Sequence, residues 1–197
     1  MSSKLTKVGI TGGIGSGKSF VAEMIEKMGY PVFYSDYEAK QILANDVEVQ
    51  TQIIALLGEE SYIDGKYNIP FVSQKVFSDN QLREQLNAIV HPAVRRAFEE
   101  WAIAKSEYSD IVFNEAAIMI ESGAYRGMDQ IILVSAPLDV RIQRVIARDS
   151  ISEDHAKARI AAQSSDEFKR PYVQFEVIND GRALLPQLNS IMDSIRL

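Results

Sequence analysis

A glycine-rich segment near the N-terminus carries the residues best suited to chemistry. It matches G-x-x-x-x-G-K-[ST] at every position and reads Gly12-Gly13-Ile14-Gly15-Ser16-Gly17-Lys18-Ser19. The glycines let backbone N–H groups converge on phosphate oxygens, the lysine places a charge at the β- and γ-phosphates, and the final hydroxyl is a ligand for Mg²⁺. The pattern therefore predicts that the loop from Gly13 to Phe20 binds ATP, with Ser19 on the metal ion.

The flanking sequence has the form that this mechanism requires. Val8 to Thr11 is a short apolar run typical of a buried strand, and Phe20 to Ile25 has helical periodicity. A helix that begins at the loop directs the positive end of its dipole at the same anion. This order of strand, loop and helix predicts a phosphate-binding loop.

Two acids follow later apolar runs. Asp36 comes directly after the second run, where a carboxylate can accept the proton of an attacking hydroxyl. The alternative is an acid in the first turn of a helix, because Ser35 and Glu38 form a capping box. Glu115 ends another run and is either a metal-site acid or a polar strand end.

Two arginines lie four residues apart on a helical stretch. Arg144 and Arg148 share a helix face, from which they could clamp a transferring phosphoryl group beneath a mobile cover. The alternative is ion pairing with neighbouring acids such as Asp149. The residue types leave both interpretations open.

The elements that must position these groups alternate along the chain. Short apolar runs followed by helical stretches predict an α/β fold with a parallel sheet flanked by helices. The runs are Val8 to Thr11, Pro31 to Tyr34, Ile111 to Asn114, Ile131 to Ser135 and Val177 to Asn179. Two mostly helical spans, 37–105 and 144–172, interrupt the alternation. Within the first span, we expect Pro92 to begin a new helix.

Composition narrows the class of protein. The chain has 197 residues, a net charge of −6 and no cysteine. This length suits one α/β domain with insertions, and the acidic charge argues against nonspecific nucleic-acid binding. No apolar run is long enough to span a membrane, and the first residues lack a secretory signal. We expect a cytoplasmic protein, a monomer or weak homo-oligomer, without nucleic-acid or membrane partners.

A phosphate-binding loop alone does not define a reaction. The N-K-x-D and D-x-x-G patterns of guanine-nucleotide switches are absent from the sequence. A kinase that acts on a small acceptor, such as a nucleoside monophosphate or an alcohol, and a non-catalytic ATP-binding regulator both stay open on these grounds.

Several segments together resemble the dephospho-CoA kinase family over almost the whole chain. Gly9 to Ser19 is similar to its extended P-loop, Asp36 falls on the second aspartate of its D-A-D motif, and His91 to Arg95 resembles its H-P-x-[IV]-R segment. Ile118 to Glu121 resembles the family's L-L-[FI]-E stretch, and Val177 to Asn179 resembles its V-I-x-N stretch. The residues that resemble the family's lid are Arg148, Asp149, Arg159, Ile160 and Gln163.

The resemblance implies a P-loop kinase fold with a five-stranded parallel sheet in a single unit over residues 1–197. It implies a core of residues 1–36, 105–143 and 173–197, a helical acceptor-binding insertion over 37–104 and a lid over 144–172. The implied reaction is ATP-dependent phosphorylation of the ribose 3′-hydroxyl of dephospho-CoA, with Mg²⁺, giving CoA and ADP.

The same resemblance implies roles for individual residues. Asp36 is the catalytic base, and Lys18, Arg144 and Arg148 stabilise the transferring group. Candidates for acceptor binding are His91, Arg95 and Glu121.

Several positions depart from the family pattern, among them Ala117, where the family often has proline. Tyr34 and Ser35 stand where the family has the first D-A of its motif, so the role of that first carboxylate does not carry over. Glu115 is an acid where an apolar residue is common, and we hypothesise that it compensates near the metal ion.

Overall fold

The computed structural model describes residues 5–196, which form two sheets and nine α-helices. The main sheet has five strands in the order β2-β5-β1-β6-β7, and all of its pairings are parallel. The strands are β1 (Thr6–Thr11), β2 (Val32–Tyr34), β3 (Tyr62–Ile63), β4 (Lys66–Tyr67), β5 (Ile111–Glu115), β6 (Gln130–Ser135) and β7 (Phe175–Ile178). The predicted α/β fold with a five-stranded parallel sheet is confirmed.

An α-helix follows β1, β2, β6 and β7 of the main sheet, as expected from the alternation. They are α1 (Lys18–Lys27), α2 (Ser35–Asn45), α3 (Val47–Leu57), α4 (Ile69–Phe77), α5 (Asn80–Lys105), α6 (Leu138–Asp149), α7 (Glu153–Ala161), α8 (Asp166–Lys169) and α9 (Leu184–Ile195). Within residues 5–196, no helix has both the length and the apolar character needed to cross a bilayer.

The register of the main sheet brings three strand ends to one level. Ile10 of β1 and Tyr34 of β2 both pair with Glu115, the last residue of β5. Because parallel strands end at the same edge, the loop after β1 and the acid of β5 emerge side by side. The sheet register thus places Glu115 at the phosphate-binding loop.

Among the described residues, the first compact unit comprises residues 5–34 and 102–196. Its main core lies where one face of the sheet packs against α1 and α9. The buried residues at this face include Ile10, Val21, Ile25, Phe113, Ile132, Val134, Leu188 and Ile191. These side chains make β1 and α1 rigid supports for the loop that joins them.

The second compact unit comprises residues 35–101 and has a core of its own. Val49, Ile53 and Leu57 of α3 are buried there with Val72 and Ala93. The unit overlaps the predicted helical insertion over 37–104, whose acceptor-binding role stays a prediction. It also contains the β3 and β4 hairpin, which the sequence analysis did not predict.

The expectation that Pro92 begins a helix is wrong. Helix α5 runs through Pro92 without a break for 26 residues. An internal proline removes one backbone hydrogen bond and costs about 3 kcal/mol. Packing offsets this cost, because the apolar stripe of Leu86, Ile89, Val90 and Ala93 continues across the proline into the core of the unit.

Candidate active site

The loop between β1 and α1 has the backbone of a phosphate cradle. Gly15 and Gly17 have φ of 79° and 91°, values that residues with a side chain rarely adopt. Gly17 is also the N-cap of α1, so the free N–H groups of the first turn of this helix open onto the loop. The predicted anion site at residues 13–20 therefore has the backbone geometry that it needs.

A buried ion pair lies at the end of this loop. The ammonium of Lys18 is 3.0 Å from Oε1 of Glu115, whose side chain is only 4% exposed. The hydroxyl of Ser19 donates to the same oxygen at 3.4 Å. Carboxylate and hydroxyl oxygens are ligands that Mg²⁺ accepts alongside phosphate oxygens. Ser19 and Glu115 therefore fit a magnesium ion that arrives with ATP.

Across residues 5–196, no cluster of three or more acidic, histidine or cysteine side chains could hold a metal ion. A site with one protein carboxylate, one hydroxyl and the phosphates of the nucleotide is consistent with this finding, because Mg²⁺ commonly binds through one or two carboxylates and substrate phosphates.

Arg144 contacts the loop through its backbone carbonyls. Its Nη1 donates to the carbonyl oxygens of Gly15 and Ser16 at 3.3 Å, and its Nη2 donates to Asn179. The neighbouring Arg141 is buried and its Nε donates to the carbonyl of Ile14 at 3.0 Å. Helix α6 therefore braces the loop from one side, and the predicted role of Arg144 as a phosphate clamp stays a prediction.

The segment after α7 reaches the same loop. Oε1 of Gln163 accepts a hydrogen bond of 2.6 Å from the backbone N–H of Ile14. Together, this bond and the hydrogen bond from Arg141 hold the backbone N–H and the backbone carbonyl of Ile14. Helix α6 and the residues beyond α7 therefore meet at one point of the cradle.

Arg148, near the end of the same helix, lies at the surface. Its guanidinium makes two hydrogen bonds to Asp149, of 2.7 and 3.1 Å, and its side chain is 62% exposed. Arg159 of α7 donates to the same carboxylate at 2.7 Å. The hydrogen bond from Arg148 lowers the pKa of Asp149, so this acid stays ionised between two arginines. The ion pairing considered from the sequence is present, and both arginines lie at the surface.

The loop, the Lys18 and Glu115 pair and the surrounding arginines form a candidate phosphate-binding site. Comparison with known proteins defines the family. The family model described as dephospho-CoA kinase matches residues 6–184. The chain belongs to the dephospho-CoA kinase family.

Individual relatives agree with this assignment. A dephospho-CoA kinase of Bacteroides fragilis is 42% identical over 92% of this chain and 89% of its own length. Among solved structures, TT1252 from Thermus thermophilus is 32% identical with a TM-score of 0.82, covering 98% of this chain and 97% of its own. A dephospho-CoA kinase from Campylobacter jejuni shares the fold, with 23% identity, a TM-score of 0.69 and coverage of 96% and 97%.

The D-A-D position of the family falls at the junction of β2 and α2. Asp36 is exposed in the first turn of α2, two residues after the strand ends. Tyr34, in place of the first aspartate, donates to Glu26 at 3.3 Å. Burial, followed by the charge of Glu26, raises the pKa of Tyr34 to about 12, so the phenol stays neutral. A neutral phenol does not replace the missing carboxylate.

Two of the predicted acceptor-binding residues lie on α5. His91 is half-buried and Arg95 is exposed one turn later. Burial, followed by the charge of Arg95, lowers the pKa of His91, so the imidazole is neutral at pH 7. His91 therefore offers a hydrogen bond, whereas Arg95 offers a positive charge.

The third, Glu121, lies in the turn after β5 and is bound by a lysine that the sequence analysis missed. Nζ of Lys169 is 3.0 Å from Oε1 of Glu121, and the lysine side chain is completely buried. Arg141 and Asn179 also carry site contacts beyond the predicted set. The one available signal for Asn179 was its place in the V-I-x-N stretch, whereas Lys169 lies in a charged stretch that reads as surface.

Proposed function

We propose that the protein transfers the γ-phosphoryl group of ATP to the ribose 3′-hydroxyl of dephospho-CoA, giving CoA and ADP. The observation that carries this proposal is the phosphate-binding loop closed by the pair of Lys18 and Glu115, in a chain whose family match spans residues 6–184. We further propose that the protein is a cytoplasmic enzyme, that it is a monomer or weak homo-oligomer, and that it has no nucleic-acid or membrane partners.

The loop binds the phosphates of ATP by backbone N–H groups and by Lys18. Ser19 and Glu115 would hold the Mg²⁺ that arrives with ATP, and the ion would supply positive charge that offsets the charge developing in the transfer. Lys18 exchanges part of its contact with Glu115 for the phosphate oxygens. This exchange needs little rearrangement, because the ammonium already lies beside the loop.

Asp36 orients the 3′-hydroxyl of the acceptor and takes its proton late in the transfer. Its position in the first turn of α2, directly after β2, supports this role because the side chain is exposed. His91, Arg95 and Glu121 bind the acceptor. The neutral Tyr34 means that this chain works with one carboxylate at the motif.

Arg144 and Arg148 of α6 have different proposed roles. Arg148 is exposed and pairs with Asp149. When the lid segment closes, the guanidinium of Arg148 leaves Asp149 and approaches the transferring group. Arg144 holds the loop in shape through its carbonyl contacts and adds positive charge behind it. Positioning and electrostatics supply most of the acceleration, because the loose transition state requires little covalent help.

The decisive experiment measures ADP release from ATP and Mg²⁺ with dephospho-CoA, with AMP, and without acceptor. The expected result is release that depends on dephospho-CoA and collapses in Asp36→Asn. Glu38→Gln, an acid of the same helical turn, is the matched control and should retain wild-type turnover.

Other outcomes are equally informative. Release that survives Asp36→Asn would keep the kinase and discard Asp36 as the base. A protein that binds ATP but is not stimulated by dephospho-CoA would refute the proposed acceptor.

A further inference from the structure

Lys169 is a charged residue sealed inside the protein. It ends α8, its side chain has no exposed surface, and it is among the largest fully buried side chains. A buried ammonium requires partners, and Lys169 has two. One is Oε1 of Glu121 at 3.0 Å, and the other is the backbone carbonyl of Ala117 at 3.0 Å.

The second contact leads directly to the phosphate site. Ala117 lies two residues after Glu115, the acid that binds Lys18 and Ser19. The same carbonyl accepts a hydrogen bond of 3.4 Å from the hydroxyl of Thr11, the last residue of β1. The carbonyl of Ala117 is therefore held between the strand that leads into the loop and the buried lysine.

Stability alone does not require a charge at this position. A buried ion pair is often no more stabilising than apolar side chains of similar volume. The turn over residues 117–123 already packs through Met119 and Ile120, which are buried with Ala116 and Ile131. A lysine at this place has a more specific effect, which is to fix the peptide that follows Glu115.

We propose that Lys169 is a positioning residue for ATP bound with Mg²⁺. By holding the carbonyl of Ala117, it sets where β5 ends and keeps the carboxylate of Glu115 beside Lys18 and Ser19. This inference rests on the proposed function, in that Ser19 and Glu115 receive the metal ion, but it does not depend on which acceptor is phosphorylated.

The test is calorimetric binding of ATP over a range of Mg²⁺ concentrations, with parallel binding in EDTA. Loss of a group that supports a metal ligand typically costs 10- to 100-fold in metal affinity. For Lys169→Met, we expect the half-saturating Mg²⁺ concentration to rise about tenfold. ATP binding in EDTA should be unchanged, and Glu115→Gln should shift the Mg²⁺ dependence in the same direction.

Two further variants separate positioning from folding. Lys169→Met/Glu121→Met removes both charges at similar volume, and it should keep the Mg²⁺ shift even if the single variant is unstable. Lys157→Met removes a surface lysine that pairs with Glu153 at 2.7 Å, and its Mg²⁺ dependence should match wild type.

Wild-type Mg²⁺ dependence in the double variant would overturn the proposal and leave Lys169 as a structural ion pair. An unchanged Mg²⁺ dependence in Glu115→Gln would remove the premise and with it the proposal. Normal metal-dependent ATP binding without stimulation by dephospho-CoA would instead refute the acceptor, and Lys169 would keep its role.

Discussion

Arg144 makes two hydrogen bonds to Asn179, of 3.1 Å each, one to its backbone carbonyl and one to its side-chain oxygen. The side-chain amide of Asn179 in turn donates a hydrogen bond of 2.9 Å to the carbonyl of Ser16, which also accepts a hydrogen bond from Arg144. Helix α6, the end of β7 and the phosphate-binding loop are thereby connected in a closed set of hydrogen bonds. The loop keeps its curvature because residues far apart in the sequence bind its carbonyls.

Asn179→Ala tests this closed set. The substitution removes the buried bond to Ser16 and one acceptor of Arg144. We expect the binding free energy of ATP to become less favourable by about 1.4 kcal/mol, which weakens ATP binding about tenfold. The measurement is the dissociation constant for ATP by calorimetry. Asn45→Ala, at an exposed helix end, is the control, and an unchanged affinity in Asn179→Ala would contradict the bracing role.

Lys18→Ala removes the charge that faces both Glu115 and the phosphates. We expect turnover to fall about 10²- to 10³-fold, the usual cost of one charge-stabilising contact. Thermal stability should also fall, because Glu115 is left buried without its cation. In Lys18→Ala/Glu115→Gln, stability should recover while turnover stays low. Recovery of turnover in this double variant would rule out a direct role for Lys18.

Arg148→Ala tests the exposed arginine as a phosphate clamp. We expect a loss of turnover of about 10²- to 10³-fold with little change in melting temperature, because the side chain is 62% exposed. Arg182→Ala is a matched control, since Arg182 is 67% exposed and also pairs with a nearby acid, Asp180. Equal turnover in the two variants would assign Arg148 to surface ion pairing.

His91 gives a pH dependence of stability. Its pKa in the folded protein lies below the ordinary value of 6.5 because burial disfavours the charged form. The unfolded chain therefore binds more protons between these two values. The stability that neutral His91 contributes is complete above about pH 6.5 and is lost as pH falls toward the folded pKa.

The measurement is the melting temperature of the wild type and of His91→Gln from pH 5 to 8. The drop in melting temperature on acidification should be smaller in His91→Gln than in the wild type. His155→Gln, at an exposed position on α7, should behave as wild type. An identical drop in all three proteins would show that His91 does not contribute.

Local sequence patterns were sufficient for the main sheet and the phosphate-binding loop. All five predicted strands of that sheet occur, as β1, β2, β5, β6 and β7. The sequence also contains a local signal for the hairpin of β3 and β4, which is the pair Asp64-Gly65. Both residues have positive φ at the turn between these strands. Asp-Gly is a strong hairpin signal, so this strand pair was predictable.

The sequence by itself determined the fold class, the cradle and the family, because each depends on residue types at short, regular spacing. Only the tertiary structure decided the distant partners of the buried charged side chains. Glu115 meets Lys18 through the register of parallel strands, and Lys169 is buried against a turn more than forty residues earlier. Such contacts depend on how distant segments pack, and no local pattern encodes them.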